Sequence, residues 1–388
     1  MYCMDKKKHN LGQYFTTNEI LQEKIYEFIL NNPETILEPC IGRGDLVDYI
    51  SSRNLSVNFN MYEIDNNLKL LSSIKNEDVN FNDFMKEPIN ELFKTIIGNP
   101  PYVRTKKGNL YIDFTEKCFH LLEENGELIF IVPSDFFKLT SASNLLQLMI
   151  THGTFTHIFH PNNEGLFEDA AIDVLIFRYC KNNKLPKKVS YNDKNLHVTN
   201  CNGLITFNQR QITSSIKFED YFNIYVGLVS GKENVFKHNE LGNIDVLNGD
   251  GIIERYIYIN KFPTENDELN EYMKTHKNEL LQRKIRKFSE KNWYEWGAPR
   301  NIKAIENNIG QDCIYINNLT RKPIVAFSGK VGYFGGGLIA IIPKKKCKIK
   351  NIIDYLNSDT FKNNFLFSGR FKIGHRQISN SYIPKKYL

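Results

Sequence analysis

The stretch Asn99-Pro100-Pro101-Tyr102 combines residues that suit chemistry on a flat amine. An amino group on an aromatic ring is a poor nucleophile because its lone pair is delocalised into the ring. Acceptors that hold both amino hydrogens let the nitrogen pyramidalise, which is transition-state stabilisation by prearranged groups. Asn99 offers a side-chain carbonyl, Pro100 a main-chain carbonyl, and Tyr102 a ring on which a base can stack. A proline-stiffened turn after a strand is the alternative that these residues alone leave open.

Four short apolar segments each end in a polar side chain, the last of them at Asn99. The earlier three end at Glu38, Glu63 and Asp83, and helices are predicted over residues 44–53 and 66–76 between them. This alternation of strands and helices forms a parallel sheet, whose strands present their carboxyl ends at one edge. We therefore expect the four side chains to line one crevice, where open α/β sheets bind ligands.

A glycine turn, Gly42-Arg43-Gly44, follows the first of these strands. Glycines let the backbone approach a ligand closely, and the helix that begins there offers unpaired amides. The pattern lacks the third glycine of a dinucleotide fingerprint, and Glu38 suits a cation better than a pyrophosphate. On its own the pattern is also that of an ordinary strand-to-helix turn. Glu63 lies about 20 residues further on, where a ribose-binding carboxylate belongs.

Length, composition and charge indicate a globular protein of two domains. The chain has 388 residues, of which 41% are hydrophobic and 24% charged. Residues 1–216 carry 22 Lys/Arg and 26 Asp/Glu, a net charge of −4, and residues 217–388 carry 28 and 18, a net charge of +10, which together give +6. The basic second half suggests a polyanionic partner, although a solvated lysine-rich surface gives the same pattern.

Several classes of protein are not expected from this sequence. Because it has no run of about 18 apolar residues and no apolar signal-peptide core at its start, a soluble cytoplasmic protein is expected. The seven cysteines form no Cys-x-x-Cys pair, which speaks against a disulfide framework or a zinc knuckle. We interpret His157 and His160 as structural and expect no protein-bound metal.

The ordered series GQYFTT, ILEPCIGRGDL, YEID, NDF and NPPY resembles the gamma group of adenine-specific, S-adenosylmethionine-dependent DNA methyltransferases of restriction-modification systems. The motifs lie between about residues 10 and 180. The resemblance implies an α/β fold, with a Rossmann-like seven-stranded methyltransferase domain over residues 1–216, mostly parallel with helices on both faces. It also implies a mixed α+β DNA target-recognition domain over residues 217–388. Cys40-Ile41 departs from the family, where a small residue or second glycine is common, which bears on the shape of the turn.

The resemblance also implies roles for the matching residues. Those for the cofactor S-adenosylmethionine are Thr16, Glu38, Gly42, Glu63, Ile64, Asp83, Phe84 and Pro101, and those for the target adenine are Asn99, Pro100, Tyr102 and Phe167. Thr16 and the turn from Glu38 to Gly44 would hold the methionine part, and Glu63 the ribose hydroxyls. Ile64 and Phe84 would sandwich the adenine ring, with Asp83 at its amino group and Pro101 at its edge. Tyr102 and Phe167 would hold a flipped-out base, although a core phenylalanine is nearly as consistent with the pattern at Phe167.

Basic residues and aromatics recur together in the second half, a combination that suits a DNA cleft. The segments are Arg283 to Phe288, Trp293 to Trp296, Lys344 to Lys348 and Arg370 to Arg376. The two tryptophans suit a hydrophobic core equally well, and the lysine run suits a solvated turn.

These observations predict a monomeric modification enzyme of a type II system that acts on double-stranded DNA, with a cognate restriction endonuclease acting separately on the same site. A fused nuclease is not expected, because only about ten residues precede the first motif. A methyltransferase acting on RNA adenine or protein glutamine is one alternative, and the basic second half counts against glutamine. A non-catalytic DNA-specificity protein is another, against which Asn99 and Tyr102 speak.

Overall fold

A computed structural model describes residues 12–53, 56–105, 108–168, 170–212 and 216–388. The first eleven residues, on which the prediction of no signal peptide rests, lie outside this part. The chain forms two compact units, Met1–Thr213 with Phe367–Gly369, and Ser214–Leu366 with Arg370–Leu388. The break lies close to the predicted boundary at 216/217, but a short downstream segment belongs to the first unit.

The first unit is built on one large sheet with helices packed against it. Its helices in the described ranges are α1 (Glu19–Phe28), α2 (Asp45–Ser51), α3 (Leu110–His120) and α4 (Ser143–His152), with short 3-10 turns at Asn76–Asp78, Phe136–Lys138 and Thr140–Ala142. Its strands are β1 (Thr35–Glu38), β2 (Asn58–Tyr62), β3 (Val79–Asn80), β4 (Phe93–Gly98), β5 (Leu122–Pro133), β6 (Thr154–Phe159), β7 (Val174–Cys180), β8 (Lys188–Tyr191), β9 (Lys194–Cys201) and β10 (Leu204–Asn208).

The order of the strands places a crossover point beside the predicted site. The sheet runs β10-β9-β8-β6-β7-β5-β4-β1-β2-β3. Five adjacent strands run parallel to one another, in the order β3, β2, β1, β4 and β5. Strand β7 pairs antiparallel with both β5 and β6. Chain order reverses between β1 and β4, which is where open α/β sheets form ligand crevices.

Among the residues that the structure describes, the sheet has ten strands, so the predicted count of seven is too low. The additional strands β8 to β10 follow one another as antiparallel hairpins, and β8 continues the sheet alongside β6. They come from the region after residue 181, beyond the motifs that carry the family resemblance. Strands β8 and β9 are mostly half-exposed or exposed, so their hydrophobic pattern is weak, and β10, although mostly buried, has only five residues.

The central strands are apolar throughout because both of their faces are buried. In β5, Leu128, Phe130 and Val132 belong to the hydrophobic cluster that includes α3 and α4, whereas Ile129 and Ile131 belong to the cluster that includes α1 and α2. A strand places successive side chains on opposite faces, so each apolar run serves two cores. Packing on both faces fixes the positions of the central strands and therefore of the ends of β1 and β4.

Of the two predicted helices, the one over residues 44–53 is confirmed as α2, whereas the one over residues 66–76 is wrong. Helix α1 begins after Asn18, whose side chain accepts a hydrogen bond from the Ile20 amide at 3.1 Å, as expected for an N-cap. The predicted helix over residues 66–76 is absent, and turns occupy that segment instead. There the Leu71 amide bonds to the Arg43 carbonyl at 2.9 Å, and Ile74 packs where a Gly44 side chain would lie. Tertiary contacts with the glycine turn override the weak helical pattern.

The second unit combines small sheets with short helices. Its strands are β11 (Phe222–Val226), β12 (Ile244–Leu247), β13 (Ile253–Tyr256), β14 (Asp312–Asn317), β15 (Leu319–Thr320), β16 (Ala326–Lys330), β17 (Tyr333–Phe334), β18 (Leu338–Pro343), β19 (Leu366–Phe367) and β20 (Arg370–Lys372). Its helices are α5 (Phe218–Tyr221), α6 (Glu233–Phe236), α7 (Asp267–Thr275), α8 (Lys277–Leu281), α9 (Ile302–Glu306), α10 (Ile349–Asn357), α11 (Asp359–Lys362) and α12 (His375–Ser379), with 3-10 turns at Asn363–Phe365 and Lys385–Tyr387. The main sheet is antiparallel, in the order β11-β18-β14-β16.

Part of the predicted basic and aromatic surface is interior. Trp293 and Trp296 are 4% and 2% exposed, and the Trp296 indole donates to the Ile257 carbonyl at 2.7 Å, so both are core residues. Arg283 is buried and donates to three backbone carbonyls. Arg286 pairs with Glu295 at 2.6 Å.

Other cations of the second unit face solvent. Lys284, Lys287 and Arg300 are exposed, and the run from Lys344 to Lys348 lies mostly in an exposed turn between β18 and α10. Within the described ranges, no helix has the length and hydropathy needed to cross a membrane.

Candidate active site

One cavity of about 240 Å³ lies in the first unit at the carboxyl ends of β1 to β4. Glu63, Asp83 and Asn99 line it, so three of the four predicted strand-end residues share this space. Other predicted residues that line it are Gly42, Ile64, Phe84 and Pro101. The parallel pairing of the strands is what brings these distant sequence positions together.

The glycine turn and Glu63 form one hydrogen-bonded wall of the cavity. Gly42 has φ +58°, and a side chain there would come within 3.1 Å of Phe15. Its amide donates to Glu63 Oε2 at 3.0 Å, and the Asp65 amide donates to Oε1 at 2.9 Å. Glu63 is 5% exposed, and burial raises the pKa of its carboxyl. The backbone thus fixes a carboxylate whose remaining lone pairs can accept from hydroxyl groups.

Glu38 lies behind the cavity lining and is 1% exposed. Its Oε1 accepts from the Cys40 amide at 3.3 Å, whereas Oε2 has no hydrogen-bond partner among the described residues. Burial raises the pKa of Glu38 to about 8, against the opposing effect of the Cys40 amide. A side chain at Gly98 would come within 2.9 Å of Oε1, so this glycine leaves room for the carboxyl. An unsatisfied buried carboxyl oxygen is suited to a cationic partner.

The loop after β3 forms the opposite wall. Asp83 accepts from the Met85 amide at 3.1 Å and pairs with Lys86 at 2.8 Å. Lys117 on α3 donates to the Glu87 carbonyl at 2.7 Å and also to the Phe84 carbonyl. These contacts fix the loop and the position of the Asp83 carboxylate.

Ile64 and Phe84 contribute unequally to this part of the cavity. Ile64 is 55% exposed, whereas Phe84 is 2% exposed. Phe114 stacks on the Phe84 ring at 5.4 Å, and the Lys117 ammonium lies 4.6 Å from its centroid. Ile64 therefore offers an exposed apolar side chain to a planar ligand. Phe84 offers little more than the edge of its ring, because Phe114 covers its face.

Asn99 is held in a defined orientation at the end of β4. Its Nδ2 donates to the Tyr14 carbonyl at 2.8 Å and to Thr16 Oγ1 at 3.1 Å. Its Oδ1 accepts from the Tyr102 hydroxyl at 2.6 Å. Because an amide oxygen has two lone pairs, Oδ1 can accept a second hydrogen bond. The adjacent Pro100 carbonyl accepts none from the described residues.

Tyr102 and Phe167 are packed together with two aromatic residues that the sequence did not single out. Tyr14 stacks on Tyr102 with centroids 5.8 Å apart and planes at 29°, and Tyr111 meets it edge-on at 5.8 Å. The rings of Tyr102 and Phe167 lie 6.5 Å apart at 77°, so they form no parallel slot in this conformation. Burial, and secondarily Tyr111, raises the pKa of the Tyr102 hydroxyl, which therefore remains a hydrogen-bond donor.

A buried carboxylate, Asp173, joins the ends of three strands near Phe167. It accepts from the Ser134 hydroxyl at 2.6 Å and contacts the His160 ring at 2.9 Å. The Ser368 amide, from the downstream segment of the first unit, donates to it at 2.8 Å. Although burial acts in the opposite direction, these hydrogen bonds hold the pKa of Asp173 below its ordinary value. His160 is thus placed in a structural network, as the sequence suggested.

The predicted site residues fall into two groups. Seven line the cavity, whereas Thr16, Glu38, Pro100, Tyr102 and Phe167 surround it without lining it. Thr16 is 5% exposed and contacts Asn99. Sequence reasoning missed Tyr14, Phe15 and Lys117. The adjacent aromatic residues of the GQYFTT motif were a signal for Tyr14 and Phe15. Lys117 lies in an ordinary amphipathic helix, which gave no signal.

Comparisons with known proteins find DNA methyltransferases of restriction-modification systems. Residues 46–167 match the Eco57I restriction-modification methylase family. The type II methyltransferase M.HincII of Haemophilus influenzae is 32% identical over 200 residues, which cover 46% of this chain and 38% of that protein. The chain thus spans well under half of this relative.

Two further similarities are to a ribosomal RNA methyltransferase and to a solved protein–DNA complex. The ribosomal RNA small subunit methyltransferase A of Metamycoplasma arthritidis is 36% identical over 126 residues, covering 31% of this chain and 45% of that protein. Among solved structures, a DrdV–DNA complex is similar with a TM-score of 0.48 and 10% identity, covering 89% of this chain and 50% of that one.

Proposed function

We propose that this chain is a site-specific DNA adenine methyltransferase of a type II restriction-modification system. It would transfer a methyl group from S-adenosylmethionine to the exocyclic amino group of an adenine flipped out of duplex DNA. The observation that carries the proposal is the position of Asn99, whose oriented amide lies at the rim of a cavity lined by Glu63 and Asp83. Its similarity to the Eco57I methylase family and to a type II methyltransferase supports the same class.

The residues around the cavity fit S-adenosylmethionine. The unsatisfied Glu38 oxygen suits the ammonium of the methionine part, and Glu63 suits ribose hydroxyls. Asp83 suits the adenine amino group, and the exposed Ile64 side chain suits the face of the ring. When bound, S-adenosylmethionine supplies an electrophilic methyl group.

The chain's own residues would act on the target amine by accepting its hydrogens. Asn99 Oδ1 and the Pro100 carbonyl would each take one amino hydrogen, so that the nitrogen lone pair localises. The hydrogen bonds from Asn99 Nδ2 to Tyr14 and Thr16 keep Oδ1 turned toward the target. No side chain has to remove a proton before attack, because the amine loses it to water afterwards.

We assign DNA binding to the basic second half of the chain. It carries a net charge of +10, and Lys284, Lys287 and Arg300 are exposed. Cations of this kind neutralise phosphates without reading sequence. We also propose that the chain acts as a monomer, since one cavity serves one adenine, and that a separate endonuclease recognises the same site.

Transfer of a tritiated methyl group tests the proposal directly. The full chain is incubated with labelled S-adenosylmethionine and either mixed-sequence duplex DNA, ribosomal RNA or a glutamine-containing protein. We expect label in DNA and, after digestion to nucleosides, in N6-methyldeoxyadenosine. Label only in RNA would favour the second candidate, which the similarity to a ribosomal RNA methyltransferase supports. Label in cytosine, in protein or in none of the three would contradict the proposal.

The titration of Glu38 predicts a pH dependence of ligand binding. Because its pKa in the free protein is about 8, the carboxyl is mostly protonated at pH 7 and must lose its proton to pair with an ammonium. The affinity for S-adenosylhomocysteine should therefore fall by up to about tenfold for each pH unit below 8. Calorimetry between pH 6 and 8 measures this dependence.

Glu38→Gln supplies the comparison for that measurement. The variant should bind more weakly at pH 8 and lose the decline toward acid pH, since its amide does not titrate. The amino group of the ligand titrates equally with both proteins, so only the difference between them reports on Glu38. Parallel pH curves for the two proteins would refute the role given to this carboxyl.

A further inference from the structure

Tyr14 covers the ring that the proposed function assigns to the target base. Its ring stacks on Tyr102 at 5.8 Å and 29°, and it contacts Phe167 at 6.0 Å and 48°. Tyr14 thus touches both of the aromatic side chains that would hold a flipped adenine. A planar base that stacks on the same face of Tyr102 requires the Tyr14 ring to move, because two planar groups cannot occupy one face.

The polar contacts of Asn99 also involve Tyr14 and Tyr102. Its Oδ1 accepts from the Tyr102 hydroxyl at 2.6 Å, and its Nδ2 donates to the Tyr14 carbonyl at 2.8 Å. The same residue, Tyr14, therefore supplies both a ring to Tyr102 and an acceptor to Asn99. In this conformation the Tyr14 ring covers Tyr102, the Tyr102 hydroxyl uses one lone pair of Asn99 Oδ1, and the Tyr14 carbonyl orients the Asn99 amide.

The segment that carries Tyr14 also forms a wall of the ligand cavity. Gly12, Gln13, Tyr14 and Phe15 all line it, and Phe15 lies against Gly42. Gln13 Nε2 is buried without a hydrogen-bond partner among the described residues. An unsatisfied buried donor is unfavourable, so a rearrangement of the segment that satisfies it is favoured. A ligand in the cavity and a base on Tyr102 would therefore act on the same four residues.

We propose that Tyr14 is a target-site residue that stands in for the base before DNA binds, and that ligand binding in the cavity releases it. The inference rests on the proposed function and adds to it a residue and an order of events. Ligand binding in the cavity turns the Tyr14 ring away from Tyr102, while the Tyr14 carbonyl keeps its contact with Asn99, and the flipped base takes the place of the ring. By thermodynamic linkage, a base on Tyr102 favours ligand binding to the same degree.

Fluorescence of 2-aminopurine tests this order. The methylated site is first located by sequencing DNA that the wild-type chain has modified, and a duplex is made with 2-aminopurine at the target position. The fluorescence of this base rises when it leaves the stack. With the wild-type chain we expect a low signal alone and a higher signal after addition of S-adenosylhomocysteine.

Tyr14→Ala removes the competing ring, and Tyr14→Leu removes the stacking while keeping apolar bulk. Both variants should raise the flipped fraction without ligand by up to about tenfold and reduce its dependence on S-adenosylhomocysteine. Tyr26→Ala, on α1 and outside the cavity lining, is the matched control and should behave as wild type. Thermal unfolding of each variant shows whether it is folded, and Tyr14→Leu serves if Tyr14→Ala is not.

The outcomes separate this inference from the function on which it rests. If the wild-type chain methylates DNA but the folded Tyr14 variants give the wild-type signal, the role of Tyr14 is refuted and the function stands. The same holds if the signal of the wild-type chain is equal with and without S-adenosylhomocysteine. Absence of methyl transfer to DNA overturns both.

Discussion

Asn99→Ala should lower the rate of methyl transfer by a factor of about 10² to 10³ or more while the protein still binds S-adenosylhomocysteine. The change removes the proposed acceptor for the target amine, and loss of one prearranged hydrogen-bonding group in an active site typically costs this much. Ligand affinity should change little, since the residues proposed to hold the ligand, Glu38, Glu63 and Asp83, do so independently of Oδ1. Initial rates of tritium transfer and calorimetric titration measure the two properties separately.

The control for this variant is Asn144→Ala, which changes an exposed asparagine on α4. It should keep the wild-type rate. Asn99→Ala also deletes the contacts with Tyr14 and Thr16, so its unfolding temperature must be compared with that of the wild type. An Asn99→Ala protein that is folded and transfers methyl groups at the wild-type rate would exclude Asn99 from catalysis.

Arg178→Met should destabilise the first unit by about 3–5 kcal/mol, because it leaves the charge of Glu127 buried without an opposite charge. The Glu127 side chain is 0% exposed and the Arg178 side chain 8% exposed, and their atoms meet at 2.7 Å. Glu127 also accepts from Thr95 at 2.9 Å and from the Leu30 and Asn31 amides. The carboxylate therefore ties β4, β5 and the end of α1 together.

Urea unfolding measures the free energy of unfolding of this variant. Lys75→Met, in an ion pair whose side chains are 72% and 78% exposed, is the control and should change stability by less than about 1 kcal/mol. The double variant Glu127→Gln with Arg178→Met should recover part of the loss, because neither charge remains buried. Equal stability of wild type and Arg178→Met would show that the pair contributes nothing.

Much of the frame of the site could be predicted from local sequence. The strands that end at Glu38, near Glu63 and Asp83, and just before Asn99 lie where expected, because short apolar runs bounded by polar residues are strong strand signals. The helix over residues 66–76 was wrong, since its weak periodicity was outweighed by contacts of Leu71 and Ile74 with the glycine turn. The three additional strands were not predicted, because β8 and β9 are largely half-exposed and have little hydrophobic pattern, and β10 is short.

The site itself was predictable only in part. Strand order alone brings Glu63, Asp83 and Asn99 to one cavity, whereas the covering of Phe84 by Phe114 depends on how α3 packs. Basic residues show the same limit. Arg283 lies in a basic and aromatic segment of the kind that contacts DNA, yet it is buried and donates to three backbone carbonyls.

The sequence by itself determined which side chains end the parallel strands, because strand periodicity and chain direction fix the edge at which each strand ends. It thereby determined that Asn99 lies beside acidic residues. Only the tertiary structure decided the partners of these residues: Tyr14 on Tyr102, Arg178 on Glu127, and Ser368 on Asp173. Each of these contacts joins positions far apart in the chain. Their geometry depends on the packing of whole elements, which local patterns of residues do not specify.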